Sequence, residues 1–249
     1  MKPHRSRYWL NAHPADPAVF AAEVAAVCTT YAQAPAQAVV GVHTVSTDEK
    51  SGIQAVEATH PPLPMKPGLV ERREYEYVRH GTQCVIANFE VTTGAVIAPT
   101  VGPTRTEVDF VAHVARTVAT DPTAHWTFVV DQLNTHQSAS LVEWVAAHCD
   151  LDDDLGVKGK AGILASMPTR KTFLSDPTHR IRFVFTPKHT SWLNQVEIWF
   201  SLLVRRLLKR ASFTSAANLR ERILAFIASY NQTRAKPLKW TYTGRPLAA

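Results

Sequence analysis

The sequence predicts an α/β domain with a mixed sheet flanked by helices. Two observations carry this. Apolar residues switch between strand and helix periods in the order strand, strand, strand, helix, strand, helix, strand, helix. A chain of 249 residues that is 45% hydrophobic also holds enough apolar surface for one large core.

Each element has its own signal. Residues 17 to 32 are Ala-rich with apolar residues at helical spacing, and the Ala-Pro that follows predicts a stop near residue 34. AVVGVHTVSTDEK reads as a β-branched strand ending at Asp48, and the Pro-rich THPPLPMKPG as a long loop over residues 59 to 68. CVIANFEVTTGAVIAPTVG reads as two strands joined by a Thr-Thr-Gly turn. Thr106 and Asp109 have capping-box spacing ahead of Phe110, Val114 and Val118, which predicts a helix over 107 to 120. WTFVVD is a buried strand ending at Asp131, Ser138 to Cys149 a helix, and LDDDLGVKGKAG an exposed polar insertion. IRFVF is the last strand, with helices near 192 to 210 and 218 to 231 after it. The division expected is a helical lead-in over 1–37 and a main domain over 38–249, with an insertion at about 148–180.

Composition narrows the function. No run approaches the roughly 18 apolar residues of a membrane span. The opening MKPHRSRYWLNAH lacks a signal peptide's apolar run, so a cytoplasmic protein without a membrane partner is expected. Cys28, Cys84 and Cys149 are far apart, which suggests neither a disulfide framework nor a cysteine zinc site. Residues 168 to 249 hold 15 Lys and Arg against three acids, a net of +12, while the remainder carries −6. A basic face concentrates phosphate, and the basic third is the expected DNA-facing part; solvated helix faces give the same charge pattern.

Asp48 and Asp131 end predicted strands, where open α/β sheets place their sites, although an acid there is often only a turn residue. Asn134 and His136 share the loop after Asp131, which also reads as an Asx-type turn feeding the next helix. Glu197 borders the apolar arc of the helix at 192 to 210, formed by Trp192, Leu193, Val196, Trp199, Phe200, Leu203 and Leu207. Asn194, Ser201 and Arg205 lie on its polar flank. In isolation this glutamate reads as a surface partner of Arg205 or Arg206. Clustered carboxylates stay ionised at pH 7 most simply with divalent cations, and oxygen ligands select Mg²⁺ or Mn²⁺ over zinc. Lys188 and His189 precede the Glu197 helix; with Asn134 and His136 they are candidates to orient phosphate or water, or satisfied loop residues. Arg205, Arg206, Lys209 and Arg210 are the candidate DNA contacts, part of whose clustering the helix dipole would explain.

Taken together, STDEKSGIQA, VVDQLNTHQS and FTPKHTSWLNQVEIWF resemble the three acidic motifs of bacterial insertion-sequence transposases related to the mariner group, the DDE type. The likeness runs over about residues 38 to 249, including the closing KWTYTG, and Pro187, His189, Trp192, Asn194 and Glu197 all fit the third motif. It implies a ribonuclease H-like fold, with Asp48, Asp131 and Glu197 as catalytic and metal-binding acids holding two ions. It implies cleavage at element ends and attack by the freed 3′-hydroxyl on double-stranded target DNA at a TA step, by a homo-oligomer. Two departures stand out. Asp131 and Glu197 lie 66 positions apart, longer than is usual for the family, and only about 37 residues precede the first strand, where members carry a helix-turn-helix region. The second leads us to expect a fragment or one product of a split reading frame, working with a partner. The competing expectations are a transposase-derived DNA-binding protein without catalysis and a stand-alone ribonuclease H-like nuclease.

Overall fold

The computed structural model describes residues 14, 16–72 and 74–242. Its sheet has the order β3-β2-β1-β4-β5, with β1 over Val42–Ala58, β2 over Tyr77–Glu90, β3 over Val96–Gly102, β4 over His125–Val130 and β5 over Ile181–Phe185. The first three strands pair antiparallel, whereas β4 pairs parallel with β1 and β5. This is the mixed sheet that the sequence predicts. Helices α1 (Pro17–Val39), α2 (Glu107–Val118), α3 (Ala139–His148), α4 (Met167–Leu174), α5 (Val196–Leu203) and α6 (Ala216–Thr233) flank it.

Strand alternation divides the core in two. Val45, Ile86, Phe128, Val130 and Phe183 pack with Phe110 of α2, Leu141 of α3 and Leu174 of α4 on one face. Ile53, Val85, Ala87 and Phe89 pack with Trp199 of α5 and Ile223 of α6 on the other. That second face is completed by α1, whose Val24, Val27, Cys28 and Tyr31 meet Val129 and Leu193. The capping box at Thr106 and Asp109 forms as expected and starts α2.

Three expectations are corrected. β1 does not stop at Asp48 but runs to Ala58, because β2 pairs along it from Glu90 to Tyr77; a shift in register between Lys50 and Ile53, next to Gly52 at φ +66°, absorbs the polar stretch. α1 runs through Pro35 to Val39, since burial of Tyr31 and Ala34 outweighs the one helical bond an exposed proline removes. LDDDLGVKGKAG is largely exposed, as expected, and is followed within the 148–180 segment by α4, which sends Phe173 and Leu174 into the core. The helix expected over 192–210 is three pieces, a 3₁₀ turn at Ser191–Leu193, α5, and a π-helix at Val204–Leu208. Trp192 therefore leaves the apolar arc and is 51% exposed. The last two residues of KWTYTG lie outside the described residues.

Candidate active site

The site begins with β1, which places adjacent side chains on opposite faces of the sheet. Asp48 is directed toward α5 and is 8% exposed. Its Oδ1 accepts the Glu49 N–H at 2.7 Å, and its Oδ2 faces Asn194 Nδ2 at 3.4 Å. Glu49 takes the opposite face, where its side chain is 1% exposed and accepts from His136 Nε2 at 3.1 Å.

Asp131 stands where β4 ends, one residue past the last parallel rung to β5. His136 Nδ1 donates to its carboxylate at 2.8 Å and the Leu133 N–H at 2.9 Å, the latter being the Asx-type turn. His136 thus lies between two carboxylates, from β1 and from the end of β4, with its ring fully buried against Phe110. Both ring nitrogens donate, so the ring is an imidazolium. Burial alone would drive its proton off, but the bonds and charges of Asp131 and Glu49 overcome that and push its pKa up to about 10. Burial likewise opposes ionisation of Asp131, and the His136 bond and charge with the Leu133 N–H hold it below the usual carboxylate range.

Among the described residues no such cation contacts Asp48. Burial first, and the charge of Asp131 second, raise its pKa to about 7. The two aspartates are near enough to repel. Asp48 binds its proton more tightly folded than unfolded, so its contribution to stability is full below about pH 4 and is lost as pH rises through about 7. Asp48→Asn is accordingly expected to gain stability relative to the metal-free wild type between pH 4 and 8, checked by thermal unfolding of both across that range. A constant gap would mean that Asp48 ionises as freely as in water.

Asn194 links α5 to these acids. It is 1% exposed; its Nδ2 donates to the Thr47 carbonyl at 2.9 Å, its Oδ1 accepts from Ser46 Oγ, and its carbonyl accepts the Glu197 N–H at 3.1 Å. Ser46 Oγ also accepts the Val196 N–H at 2.9 Å. Gln195, at the N-cap, makes no side-chain cap, so β1 supplies the missing acceptor and fixes the start of α5.

The structure brings Asp48, Asp131, His136 and Asn194 together. Glu197, in the first turn of α5, opens instead into a depression of about 360 Å³ with Lys50, Ser201 and Arg205. Among the described residues no three acid, His or Cys side chains form a cluster able to hold a metal. Lys188 and His189 are exposed on a cleft of about 580 Å³ that also includes Asp131 and Trp192, and His189 holds a left-handed φ of +63°. Asn134 is exposed in the 3₁₀ turn after Asp131. Arg205, Arg206 and Arg210 are exposed and share a further depression with Leu202; Lys209 is exposed as well.

This geometry lies within residues 43–220, which match the family described as DDE superfamily endonuclease. The chain belongs to that family. The fold of this DDE domain is ribonuclease H-like, as the comparison with solved structures also shows. The Mos1 mariner paired-end complex with Mn is similar at a TM-score of 0.53 and 11% identity, covering 90% of this chain and 59% of that one. The Mos1 mariner catalytic domain gives 0.49 and 9% identity over 89% of this chain and 86% of its own. This chain thus spans 59% of the length of the first of these structures. None of the curated proteins matches it significantly.

Sequence reasoning missed Glu49 and Ser46 in this DDE domain. Alternation along VHTVSTDE assigns Glu49 to the face of Val45, and a charged residue directed at a core requires a partner. That signal was present but pointed to no particular histidine.

Proposed function

We propose that this chain is the catalytic domain, residues 38–249, of a DNA transposase of the bacterial insertion-sequence group related to mariner. In this reading it acts in the cytoplasm, cuts element ends and joins them to target DNA. The observation that carries this is buried Asp48 set beside the partly exposed Asp131, close enough to repel, in a DDE endonuclease family domain. The donor set fits a hard divalent cation, since carboxylate oxygens held close enough to repel gain most from Mg²⁺ or Mn²⁺ between them. Asp48 and Asp131 would hold it; Glu197, the third acid that the resemblance implies, lies apart from them. Two such ions, when bound, supply activation of the attacking oxygen and stabilisation of the leaving one in displacement at phosphorus.

The chain's own residues do the rest. His136 keeps Asp131 ionised and oriented, and Asn194 holds the start of α5 against Asp48. Lys188 and His189 attract phosphate into the cleft beside Asp131, and Asn134 borders its entry. The likeness to the mariner group supports a TA target step and a homo-oligomer on DNA. Mg²⁺- or Mn²⁺-dependent nicking of duplex DNA tests the reading, and a folded chain that never nicks refutes it.

The position of Glu197, apart from the aspartates, favours a second reading, a transposase-derived protein that binds DNA without cutting it. The cost of holding the buried Asp48 carboxylate beside that of Asp131 argues against that. Both readings use the basic segment. Changing Arg205, Arg206, Lys209 and Arg210 to Gln is expected to weaken binding to all sequences alike. The log-log salt slope should flatten by about 0.9 for each phosphate that is no longer neutralised, measured by fluorescence anisotropy at several salt concentrations. An unchanged slope would make this tract a solvated helix end.

A further inference from the structure

Trp192 is a large aromatic residue, 51% exposed, on a backbone that is firmly held. The 3₁₀ turn carrying it lies among Thr190, Leu193 and Asn194, which are 2%, 0% and 1% exposed, and Thr190 Oγ1 donates to the Pro187 carbonyl at 2.6 Å. Its ring is the outer end of an aromatic row. Tyr31, buried in α1, lies 4.9 Å from Trp240; Trp240 is 6.4 Å from Tyr242; and Tyr242 meets Trp192 edge to face at 5.1 Å. The row runs from the core to the rim of the cleft that contains Asp131, Lys188 and His189.

We infer that Trp192 is a stacking platform for an unpaired nucleobase of the strand whose phosphate lies at Asp131, a role that rests on the DNA-cutting reading above. Every base has a π-face, and an indole fixed from behind stacks on it without choosing among sequences. The cation in the same cleft suits the phosphate of that nucleotide, and the carboxylate is what would act there. A base within a duplex has both faces covered, so the ligand is a nucleotide freed from its stack, as at a frayed or newly cut end.

The test uses the full chain in EDTA, so that binding is read without cutting. The probes are a short labelled single strand and the same strand with abasic residues. One stacked base is worth roughly 5- to 150-fold in affinity. Trp192→Ala should lose that much on the base-bearing strand and nothing on the abasic one, Trp192→Phe should keep most of it, and 2-aminopurine in the strand should be quenched by the wild type alone. Equal loss on both strands, or no loss, overturns the proposal. So does Trp192→Ala changing self-association while strand affinity stays constant, since the ring would then be a subunit contact. Should Trp192→Ala fail to fold, the wild type's own preference for bases over abasic residues decides, and its absence overturns the proposal. A wild type that nicks duplex DNA but shows no such preference sinks the platform alone. A wild type that binds neither strand and nicks nothing takes the DNA-cutting reading with it.

Discussion

Asp131→Asn is expected to lower divalent-metal-dependent nicking by about 1000-fold or more. A missing ligand charge is worth several kcal/mol of stabilisation at the reacting phosphate, and each 1.36 kcal/mol is tenfold in rate. The change is nearly isosteric, so the cleft keeps its shape. It removes the negative charge that His136 faces at 2.8 Å and that presses on Asp48. Two measurements separate chemistry from folding. Nicking is rated per folded molecule by circular dichroism, and Mn²⁺ affinity by electron paramagnetic resonance should fall with it. In the same variant the Asp48 pKa should drop, because the larger of the two neighbouring charges that raise it is gone. Nicking that survives in folded Asp131→Asn would remove Asp131 from the chemistry.

His136→Gln should cost about 3–5 kcal/mol of stability, the usual penalty for removing one member of a buried ion pair. For a chain of this size that is on the order of 10 °C in Tm. The cost arises at Glu49, whose side chain is 1% exposed and keeps no counter-ion once the imidazolium is gone. Glu49→Gln in the same chain should therefore recover part of the loss, a non-additive pair in a double-mutant cycle. The sign with pH is definite. His136 has a folded pKa of about 10 against an ordinary 6.5, so its contribution is complete below about pH 6.5 and disappears as pH rises through 10. The gap between wild type and His136→Gln, measured by denaturant unfolding, should close over that range. A gap that is small at pH 7, or indifferent to pH, would show that the ring sits there neutral.

Much of the fold was legible in the sequence because local signals agreed with tertiary demand. The 3.6-residue period and capping box of α2 and the β-branched run of β4 leave no competing structure. Reading failed where distant packing overrode local preference. DEKSG is a poor strand sequence, yet β2 holds it in the sheet; an exposed Pro35 does not end a helix whose other face is buried. Of the candidate site, Asp48 and Asp131 were legible because acids at predicted strand ends need only the strand pattern to be noticed. The Glu49–His136 bond was not, since residues 87 positions apart meet only when β1 and β4 lie side by side. Asn194 fitted a motif, but its role as the tie between β1 and α5 depends on Ser46 capping a helix from another element.

The position of α1 bears on how this protein can be divided. The family match begins at residue 43, after α1 ends, and closes at residue 220, inside α6. The family match thus leaves the helix out; by packing it belongs to the domain, because Val129 and Leu193, the latter next to the residues that line the cleft, have Val24, Val27 and Tyr31 as their cover. Sequence likeness and cooperativity draw different borders here. A segment trimmed to the family's own span would carry every acidic residue of the site yet expose a greasy half-face beside it, so the span that matches by sequence is shorter than the piece able to stand alone.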